Sequence, residues 1–501
     1  MFDLQLVGGA LLQILQPVVL MWIAVGVFVG IVFGAIPGLT ATTAIALFTP
    51  ITFGLGFNES FGFLLGIYCG GYWAGAIPSI LIRTPGAPGN AATALDGYPM
   101  AMSGRPAEAL TISLVASWIG GVFSAITLFF FSPLISSLAL DFGPQEYFSV
   151  AILGFTAVAS ISGKSLYKGL AAGMIGLVLS FVGLDPIDGV PRFTFGSINL
   201  LSGIETTPAL IGLFAVSEAL ASAEKLGVKA KEIVLNMEGK MRIRWKTYWE
   251  NRGTVLKSAV IGTIIGAIPG TGSVIASWLS YNEAKLSSKN PEEFGKGAVA
   301  GIIAPEVANN AVTGGACIPL LTLGIPGDPT TAVLLYALII QGLTPGPLMI
   351  RDKFDMFAVI LFILLIANFM MLGMGMVLTK QFAKVLRTPK HIMVPVILVL
   401  CVAGAYGAGN SMFEVRLALT LGVFAFFAVK LGFPVAPMVL GLVLGPVIEP
   451  NFRRALIGSQ MNPAIFITSP ISAVFLALTV LIVVVLYRRN KKIDKSLNQG
   501  G

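Results

Sequence analysis

The residues of this chain that could do chemistry stand beside Pro-Gly steps inside apolar sequence. The run Gly34-Ala35-Ile36-Pro37-Gly38 recurs as Gly266-Ala267-Ile268-Pro269-Gly270, and Thr or Ser residues follow both copies. Proline lacks a backbone donor and glycine tolerates a positive φ, so we expect a helix to break at each step. The half-helix that follows a break offers free N–H groups to a carboxylate, and the half-helix before it offers carbonyl groups to a cation.

A second Pro-Gly step follows each copy. Thr84-Pro85-Gly86-Ala87-Pro88 aligns with Ile325-Pro326-Gly327-Asp328-Pro329, so the breaks predict an internal duplication. Irregular backbone at membrane depth survives only where it is buried or lines a polar cavity, and the four breaks therefore predict one central polar site. The residues expected to bind substrate or ion there are Gly38, Thr40, Thr42, Thr43, Pro85, Gly86, Asn90, Gly270, Thr271, Ser273, Asn309, Asn310, Gly327, Asp328, Thr330 and Thr331. The alternative is that the glycines and threonines only allow close helix packing.

Three ionisable residues stand close to the breaks and are hypotheses for function by default. Arg83 either faces an anionic substrate, or snorkels or pairs with a nearby acid. Glu306 precedes the paired amides Asn309 and Asn310, which suit an ion or a substrate. Asp328 has Ala87 as its counterpart in the other copy, which suits a specialised role, although a helix cap is the simpler explanation.

The elements that must position these residues are membrane helices. The chain has 501 residues, of which 55% are apolar and 11% charged, and its mean hydropathy is +0.87. Soluble proteins carry about 25% charged residues, so the composition indicates an integral membrane protein. The apolar tracts suit helices of about 20 residues and are too long for the strands of a barrel. We therefore expect an all-α polytopic membrane protein.

Cationic loops set the expected topology through the positive-inside rule. They place the N-terminus outside and the basic linker and C-terminal tail in the cytoplasm, so that the two copies have opposite topology with an extra span after them. Arg453-Arg454 disagrees, because it falls in a loop that this scheme places outside. The scheme also leaves open whether the helices at each Pro-Gly break are broken full crossings or re-entrant hairpins. The first apolar tract, residues 9–34, is expected to be one continuous span. The predicted units are a first repeat over 1–224 (motif region about 30–105, scaffold spans about 108–223), a linker over 225–252, a second repeat over 253–450 (motif region about 260–350, scaffold spans about 355–448), an extra span over 451–487 and a tail over 488–501.

Several classes of function are excluded. The net charge of +8 comes from short loops and forms no basic face, so nucleic acid is not an expected partner. The run Gly163-Lys164-Ser165 has Val158 where a phosphate loop needs its first glycine. The single histidine is His391 and no Gly-x-Ser-x-Gly is present, so we predict no enzyme activity, no cofactor and no metal beyond a possible sodium ion. The cysteines are expected to be small core residues: Cys69, Cys317 and Cys401.

Five motifs resemble those of a known family, the large membrane subunit of the tripartite tricarboxylate transporters, or TctA family. They span residues 34–43, 82–90, 266–273, 305–310 and 324–329, and the resemblance covers nearly the whole chain. It implies a permease of the bacterial inner membrane that receives a carboxylate from a periplasmic solute-binding protein. It also implies a small membrane subunit of about four spans as partner, an ion gradient as driving force, and an elevator-type mechanism.

The residues and the resemblance together predict a carboxylate carrier. The substrate would bind at the midplane between inverted repeats. Sodium is favoured over a proton as coupling ion, because carbonyl, Thr and Asn oxygens suit it without a titrating group; a proton relayed by Glu306 or Asp328 is the competitor. The alternatives are a stand-alone ion-coupled organic-anion carrier without a binding protein and, less favoured, a channel or an intramembrane enzyme.

Overall fold

The computed structural model describes residues 4–161, 165–224, 241–385 and 390–498. In these residues the regular secondary structure is helical apart from one short hairpin, as the all-α prediction requires. Residues 225–240 of the expected linker, 499–501 of the expected tail and the Gly163-Lys164 step lie outside the described residues. Within the described part, eight helices are long and apolar enough to cross a membrane: Pro17–Ala35, Phe57–Ile82, Pro106–Ala139, Thr206–Glu224, Phe354–Lys384, His391–Gly409, Met412–Lys430 and Val435–Gly458.

The first half of the chain ends at Glu224. Its helices are α1 (Leu4–Ile14), α2 (Pro17–Ala35), α3 (Ala41–Phe48), α4 (Phe57–Ala74), α5 (Ala76–Ile82), α6 (Ala94–Met102), α7 (Pro106–Ala139), α8 (Pro144–Ile161), α9 (Leu166–Ser180), α10 (Thr206–Leu210) and α11 (Ser217–Glu224). A π-helical turn, Ile211–Val216, joins α10 to α11, and 3-10 turns cover Thr49–Gly54, Pro88–Asn90 and Ile198–Leu200. Strands β1 (Gly183–Leu184) and β2 (Pro191–Arg192) form an antiparallel pair.

The description of the second half begins at helix α12. Its helices are α12 (Trp245–Glu250), α13 (Arg252–Ala267), α14 (Gly272–Leu286), α15 (Val299–Leu323), α16 (Pro329–Ile340), α17 (Pro347–Asp352), α18 (Phe354–Val385), α19 (Lys390–Gly409), α20 (Met412–Lys430), α21 (Val435–Gly458), α22 (Ile465–Thr468) and α23 (Pro470–Asn498). A 3-10 turn covers Pro291–Glu293.

The prediction of one continuous span over residues 9–34 is wrong. The structure has two helices there, and α1 ends at Ile14 before α2 begins at Pro17. Gln16 is extended, with ψ of 136°, because the ring of a following proline disfavours the helical conformation.

The expected end of the span near residue 448 is also wrong, because α21 continues to Gly458 and Arg453-Arg454 lies on a helix instead of in a loop. The guanidinium of Arg453 contacts Asp185 Oδ2 at 2.6 Å and Asp188 Oδ2 at 2.5 Å, in the segment between α9 and α10. Hydrogen bonds from the N–H groups of Asp188 and Ile187, together with Arg453, lower the pKa of Asp185 to about 2. The acidic segment between α9 and α10 is therefore the ion-pair partner of this cation.

Glycines allow the helices that lead into the breaks to pack closely. Helix α2 lies against α4 and α13 lies against α15. A Cβ atom at Gly30 would lie 2.4 Å from the Ile67 carbonyl oxygen, and one at Gly262 would lie 2.3 Å from that of Ala308. The two helix pairs thus approach through backbone contacts of the same kind, which a larger residue would prevent.

Two lateral bundles each combine helices from both halves. Helices α8, α9, α21 and α23 pack together, and α10 and α11 pack with α19 and α20. The second bundle has its own apolar core, which includes Ile211, Cys401 and Ala418 and extends to Leu39 and Leu47 beside the first break. All three cysteines are buried and unbridged, as the sequence predicts.

Candidate functional site

A cavity of about 680 Å³ lies where the Pro-Gly breaks of both halves meet. Gly38 and Gly270 occupy equivalent places in its wall, with φ of 96° and 88°. Only glycine adopts such a φ without strain, so the Pro-Gly steps turn the chain there as predicted. The predicted site residues that line the cavity are Gly38, Thr40, Thr42, Thr43, Asn90, Gly270, Thr271, Ser273, Asn309, Asp328 and Thr330.

Four helices begin at this cavity, α3, α14, α16 and α21, and their N-termini differ in how they are capped. Thr40 caps α3 by accepting a hydrogen bond from the Thr43 N–H. Asp328 caps α16, because Thr331 N–H donates to its Oδ1 at 2.7 Å and its own N–H donates to Thr331 Oγ1 at 2.9 Å. Helices α14 and α21 have no side-chain cap. The N–H groups at these two helix starts are therefore the ones that a bound anion can use.

The Asp328 carboxylate is buried in the cavity wall, where its side chain contacts hydroxyl groups. Its residue is 1% exposed, Tyr68 donates to Oδ2 at 3.2 Å, and Tyr72 donates to the same oxygen. The adjacent Thr330 Oγ1 lies 2.6 Å from Thr42 Oγ1 of the other half. None of the ion pairs among the described residues involves Asp328. The helix cap expected of Asp328 is confirmed, and its second oxygen accepts hydrogen bonds from two tyrosine hydroxyl groups.

Two amides from different halves meet at one carbonyl group. The Nδ2 groups of Asn90 and Asn309 donate to the Tyr72 carbonyl oxygen at 3.2 and 2.9 Å. Between them the backbone of Gly89 is so close to the second half that a Cβ atom would lie 2.4 Å from both Ser273 Oγ and Asn309 Oδ1. The turn Pro88–Asn90 of the first half therefore packs closely against α14 and α15 of the second half.

The sequence of the chain matches a known protein family. Residues 20–440 match the model of the tripartite tricarboxylate transporter TctA family. The chain belongs to the TctA family. It is accordingly a multi-pass membrane component of tripartite tricarboxylate transport, and the family is one of transporters and not of enzymes.

Two relatives of this TctA protein come from Agrobacterium vitis. One is an uncharacterised 52.8 kDa protein in the TAR-I ttuC' 3' region, which is 37% identical over 94% of this chain and 93% of its own length. The other is an uncharacterised protein in the TAR-II ttuC' 3' region, which is 39% identical over 44% of this chain and 92% of its own length. No solved structure matches the chain significantly.

Two of the predicted site glycines pack helices instead of lining the cavity of this TctA protein. A Cβ atom at Gly86 would lie 2.4 Å from the Gly34 carbonyl oxygen, and one at Gly327 would lie 2.7 Å from that of Gly266. These contacts are equivalent in the two halves. At these positions the packing explanation of the glycines applies.

Three further predicted residues lie behind the wall. Thr331 completes the cap of α16, and Pro85 is half-buried in the turn before Gly86. Asn310 is fully buried on α15, where its Nδ2 lies 3.4 Å from the Glu306 carbonyl oxygen and its Oδ1 has no partner in the described part of the chain. These residues support the backbone of the cavity and do not reach its interior.

The two expected charge partners also lie outside the cavity lining. Arg83 is exposed, closes α5 in the left-handed conformation with φ of 55°, and places its guanidinium 5.8 Å from the ring centre of Tyr98. Glu306 is fully buried, and its carboxylate accepts hydrogen bonds from Asn90 Nδ2 at 3.1 Å, Thr93 Oγ1 at 2.5 Å and Ser117 Oγ at 2.8 Å. Through Asn90, however, Glu306 touches a residue that does line the cavity.

The sequence missed the part of the cavity wall that α11 and the α20–α21 connection supply. Its ionisable members are Glu218, Glu224 and Lys430. They sit at or near the ends of apolar spans, where charged residues are common, so sequence gave no signal for them. Tyr68 and Tyr72 were missed as well, although their spacing of four places both on one face of α4.

Proposed function

We propose that this TctA protein is the permease subunit that imports a tricarboxylate or related carboxylate through the cavity at the breaks, driven by an ion gradient. The observation that carries the proposal is the convergence of Pro-Gly breaks from both halves on one cavity of about 680 Å³. A volume of this size suits a small organic acid with several polar groups. The exposed breaks supply the polar groups that a transporter needs at membrane depth.

The substrate carboxylate belongs at the N-terminus of α14. This helix starts at Gly272 without a side-chain cap, and Ser273 beside it lines the cavity. Uncapped N–H groups and the positive end of the helix dipole favour a carboxylate. Asn90 and Asn309 flank the same wall and offer further polar contacts. The N-terminus of α16, by contrast, already holds the carboxylate of Asp328.

Coupling to a cation follows from the charge of the lining. Among the described lining residues, Asp328, Glu218 and Glu224 are acidic and Lys430 is basic. An anion that enters an acidic cavity is repelled unless a cation or a proton accompanies it. We favour sodium at Asp328, where Thr42 and Thr330 add hydroxyl oxygens of the kind that hard cations prefer. A proton on Asp328 or Glu306 is the competing form of coupling.

The transport cycle that we propose moves the carboxylate between two inverted repeats in an elevator-type motion. The equivalent glycine contacts at Gly86 and Gly327, and at Gly30 and Gly262, support the repeats. The cavity extends to Glu224 and Lys430, whose side chains are 53% and 44% exposed. Because Glu224 directly precedes the linker that we place in the cytoplasm, we assign this conformation as open to the inside.

The resemblance and the family supply the rest of the proposal. The subunit lies in the bacterial inner membrane with its N-terminus in the periplasm and its C-terminus in the cytoplasm. It receives substrate from a periplasmic solute-binding protein and works with a small membrane subunit of about four spans. Membership of a family described as tripartite supports both partners.

The test is uptake into proteoliposomes that contain this chain, the small subunit and the binding protein. A panel of citrate, succinate and benzoate is offered with an inward sodium gradient, with a proton gradient, or with neither. We expect gradient-dependent accumulation of at least one acid, and sodium dependence identifies the ion. Equilibration without accumulation in all three conditions, or flux at channel-like rates, contradicts a coupled carrier.

A further inference from the structure

An ion pair lies in the part of the cavity wall that α11 and α20 supply. Lys430 Nζ on α20 is 2.7 Å from Glu224 Oε1 on α11, so the pair joins the two halves of the chain. The ammonium also lies 4.5 Å from the ring centre of Phe426, which lines the same cavity. Among the described residues of the lining, Lys430 is the only basic one.

Lys430 lies in a cavity lining whose other charged described residues are all acidic. A substrate with two or three carboxylates meets the acidic side chains of Asp328, Glu218 and Glu224. One of its carboxylates can bind at the α14 N-terminus, but the others need a cation of the protein or a coupled ion. Lys430 is the positive side chain among the described lining residues, and its ammonium is paired with the Glu224 carboxylate.

The ion pair between Lys430 and Glu224 can be replaced by an ion pair between Lys430 and a substrate carboxylate. Both side chains are about half exposed, at 44% and 53%, so water screens their attraction and the pair contributes little to stability. An incoming carboxylate replaces the Glu224 carboxylate with a contact of the same chemical kind. The Phe426 ring keeps the ammonium near the cavity while its partner changes.

We propose that Lys430 binds a carboxylate of the substrate and that Glu224 is its intramolecular competitor. This inference rests on the proposed function and names a specificity-determining residue for it. It accounts for a basic residue in an otherwise acidic lining, and it favours substrates with more than one carboxylate. A different explanation is that Lys430, in the last turn of α20, only complements the helix dipole and forms a surface ion pair.

A double-mutant cycle separates the two explanations. Lys430→Gln, Glu224→Gln and the double variant are compared with wild type, with the acid from the citrate, succinate and benzoate panel that wild type carries. Loss of a charge-assisted contact should raise the KM of Lys430→Gln about tenfold. Glu224→Gln frees the ammonium and should lower KM severalfold. The double variant should stay closer to Lys430→Gln than to Glu224→Gln, because removing the Glu224 carboxylate relieves repulsion of the substrate but does not restore the ammonium contact.

Matched control variants test whether the changes in KM are specific to the charge of Lys430 and to the ion pair in the cavity. Lys246 and Glu250 form an exposed ion pair at 3.8 Å outside the cavity, and Lys246→Gln and Glu250→Gln should leave KM unchanged. Lys430→Arg keeps the charge and should keep KM within about threefold of wild type. Thermal stabilisation of each purified variant by the same acid gives a second measure of affinity that needs no partner subunit.

The inference is overturned if Lys430→Gln leaves KM and thermal stabilisation at wild-type values, or if Glu224→Gln raises KM as much as Lys430→Gln does. The same holds if Lys430→Arg loses affinity like Lys430→Gln. Wild-type uptake in this assay reports on the proposed function by itself. The ratios of variant to wild-type KM report on Lys430, so the two failures are distinguishable.

Discussion

The hydroxyl groups of Thr42 and Thr330 lie 2.6 Å apart, although 288 positions separate the two residues in the chain. Thr42 follows the first break and Thr330 follows the last, so this contact joins the two halves at the cavity wall. Tyr72 Oη lies 3.4 Å from Thr330 Oγ1 and donates to Asp328, which extends the contact into a chain of oxygen atoms. This cluster is where we place the coupling ion.

Replacing Asp328 tests the ion directly. Asparagine is as good a helix cap as aspartate, so Asp328→Asn should keep α16 intact while it removes the negative charge. We expect the sodium-dependent part of uptake to fall by at least about tenfold, since a charged ligand contributes more than a neutral one. Asp352→Asn, an exposed helix-end residue outside the cavity, is the control and should retain uptake. Unchanged sodium dependence in Asp328→Asn would place the ion elsewhere.

The threonine pair offers a graded test of the same cluster. Thr42→Val and Thr330→Val keep the shape of the side chain and remove one oxygen each. We expect each to weaken the apparent sodium affinity about threefold to tenfold, in line with one lost hydrogen-bonding oxygen. Thr42→Ser and Thr330→Ser keep the oxygen and should retain affinity. Equal losses in the valine and serine variants would show that packing and not the oxygen matters.

A substitution at Gly89 tests the close contact between the Pro88–Asn90 turn and the second half. A Cβ atom there would lie 2.4 Å from Ser273 Oγ and Asn309 Oδ1, so Gly89→Ala must displace residues of the proposed carboxylate site. We expect a higher KM and a lower rate of uptake without loss of the folded protein. Gly9→Ala on α1, where no atom lies within 4 Å of the added Cβ, is the matched control. Normal kinetics in Gly89→Ala would remove this turn from the site.

The part of the site that sequence predicts is the part that local chemistry determines. Gly38 and Gly270 turn the chain because a proline precedes each of them, and this needs no tertiary information. Whether a glycine then lines the cavity or packs a helix depends on its neighbours, so Gly86 could not be separated from Gly38 in advance. Lys430 and Glu224 meet only after α11 and α20 pack, and nothing in their own segments indicates the contact.

The hydrogen bonds of Asp96, away from the cavity, lead to a prediction about the stability of the fold. Its Oδ1 accepts hydrogen bonds from the N–H groups of Gly295, Gly297 and Ala298 at 2.8 to 2.9 Å, and Tyr281 donates to Oδ2 at 2.8 Å. This buried carboxylate holds the segment before α15 on α6. Asp96→Ala leaves these donors without a partner, and we expect a loss of about 3 kcal/mol in the free energy of unfolding. Tyr281→Phe removes one contact and should cost about 1 kcal/mol.

Denaturant unfolding monitored by intrinsic fluorescence measures both values. The loss in Asp96→Ala should exceed that in Tyr281→Phe by a clear margin. Equal stability of Asp96→Ala and wild type would mean that water or other groups replace the carboxylate.

We predict that the contribution of Asp185, between strands β1 and β2, to the stability of the fold is lost in acid. The folded pKa of Asp185 is about 2, below its ordinary value of 3.8, so the carboxylate stabilises the fold at pH values above its ordinary pKa. This contribution should be lost as pH falls from about 4 toward 2, because protonation then accompanies unfolding. Asp185→Asn should unfold with a weaker pH dependence across this window. A pH profile identical to that of wild type would contradict the role assigned to Asp185.

The central claim is that the cavity at the breaks holds the carboxylate of a transported acid. An experimental structure determined with sodium and an acid that the protein accumulates tests it most directly. We predict density for a carboxylate at the N-terminus of α14, within hydrogen-bonding distance of Ser273. Density for the acid at a different place, with this cavity filled only by water, would contradict the account.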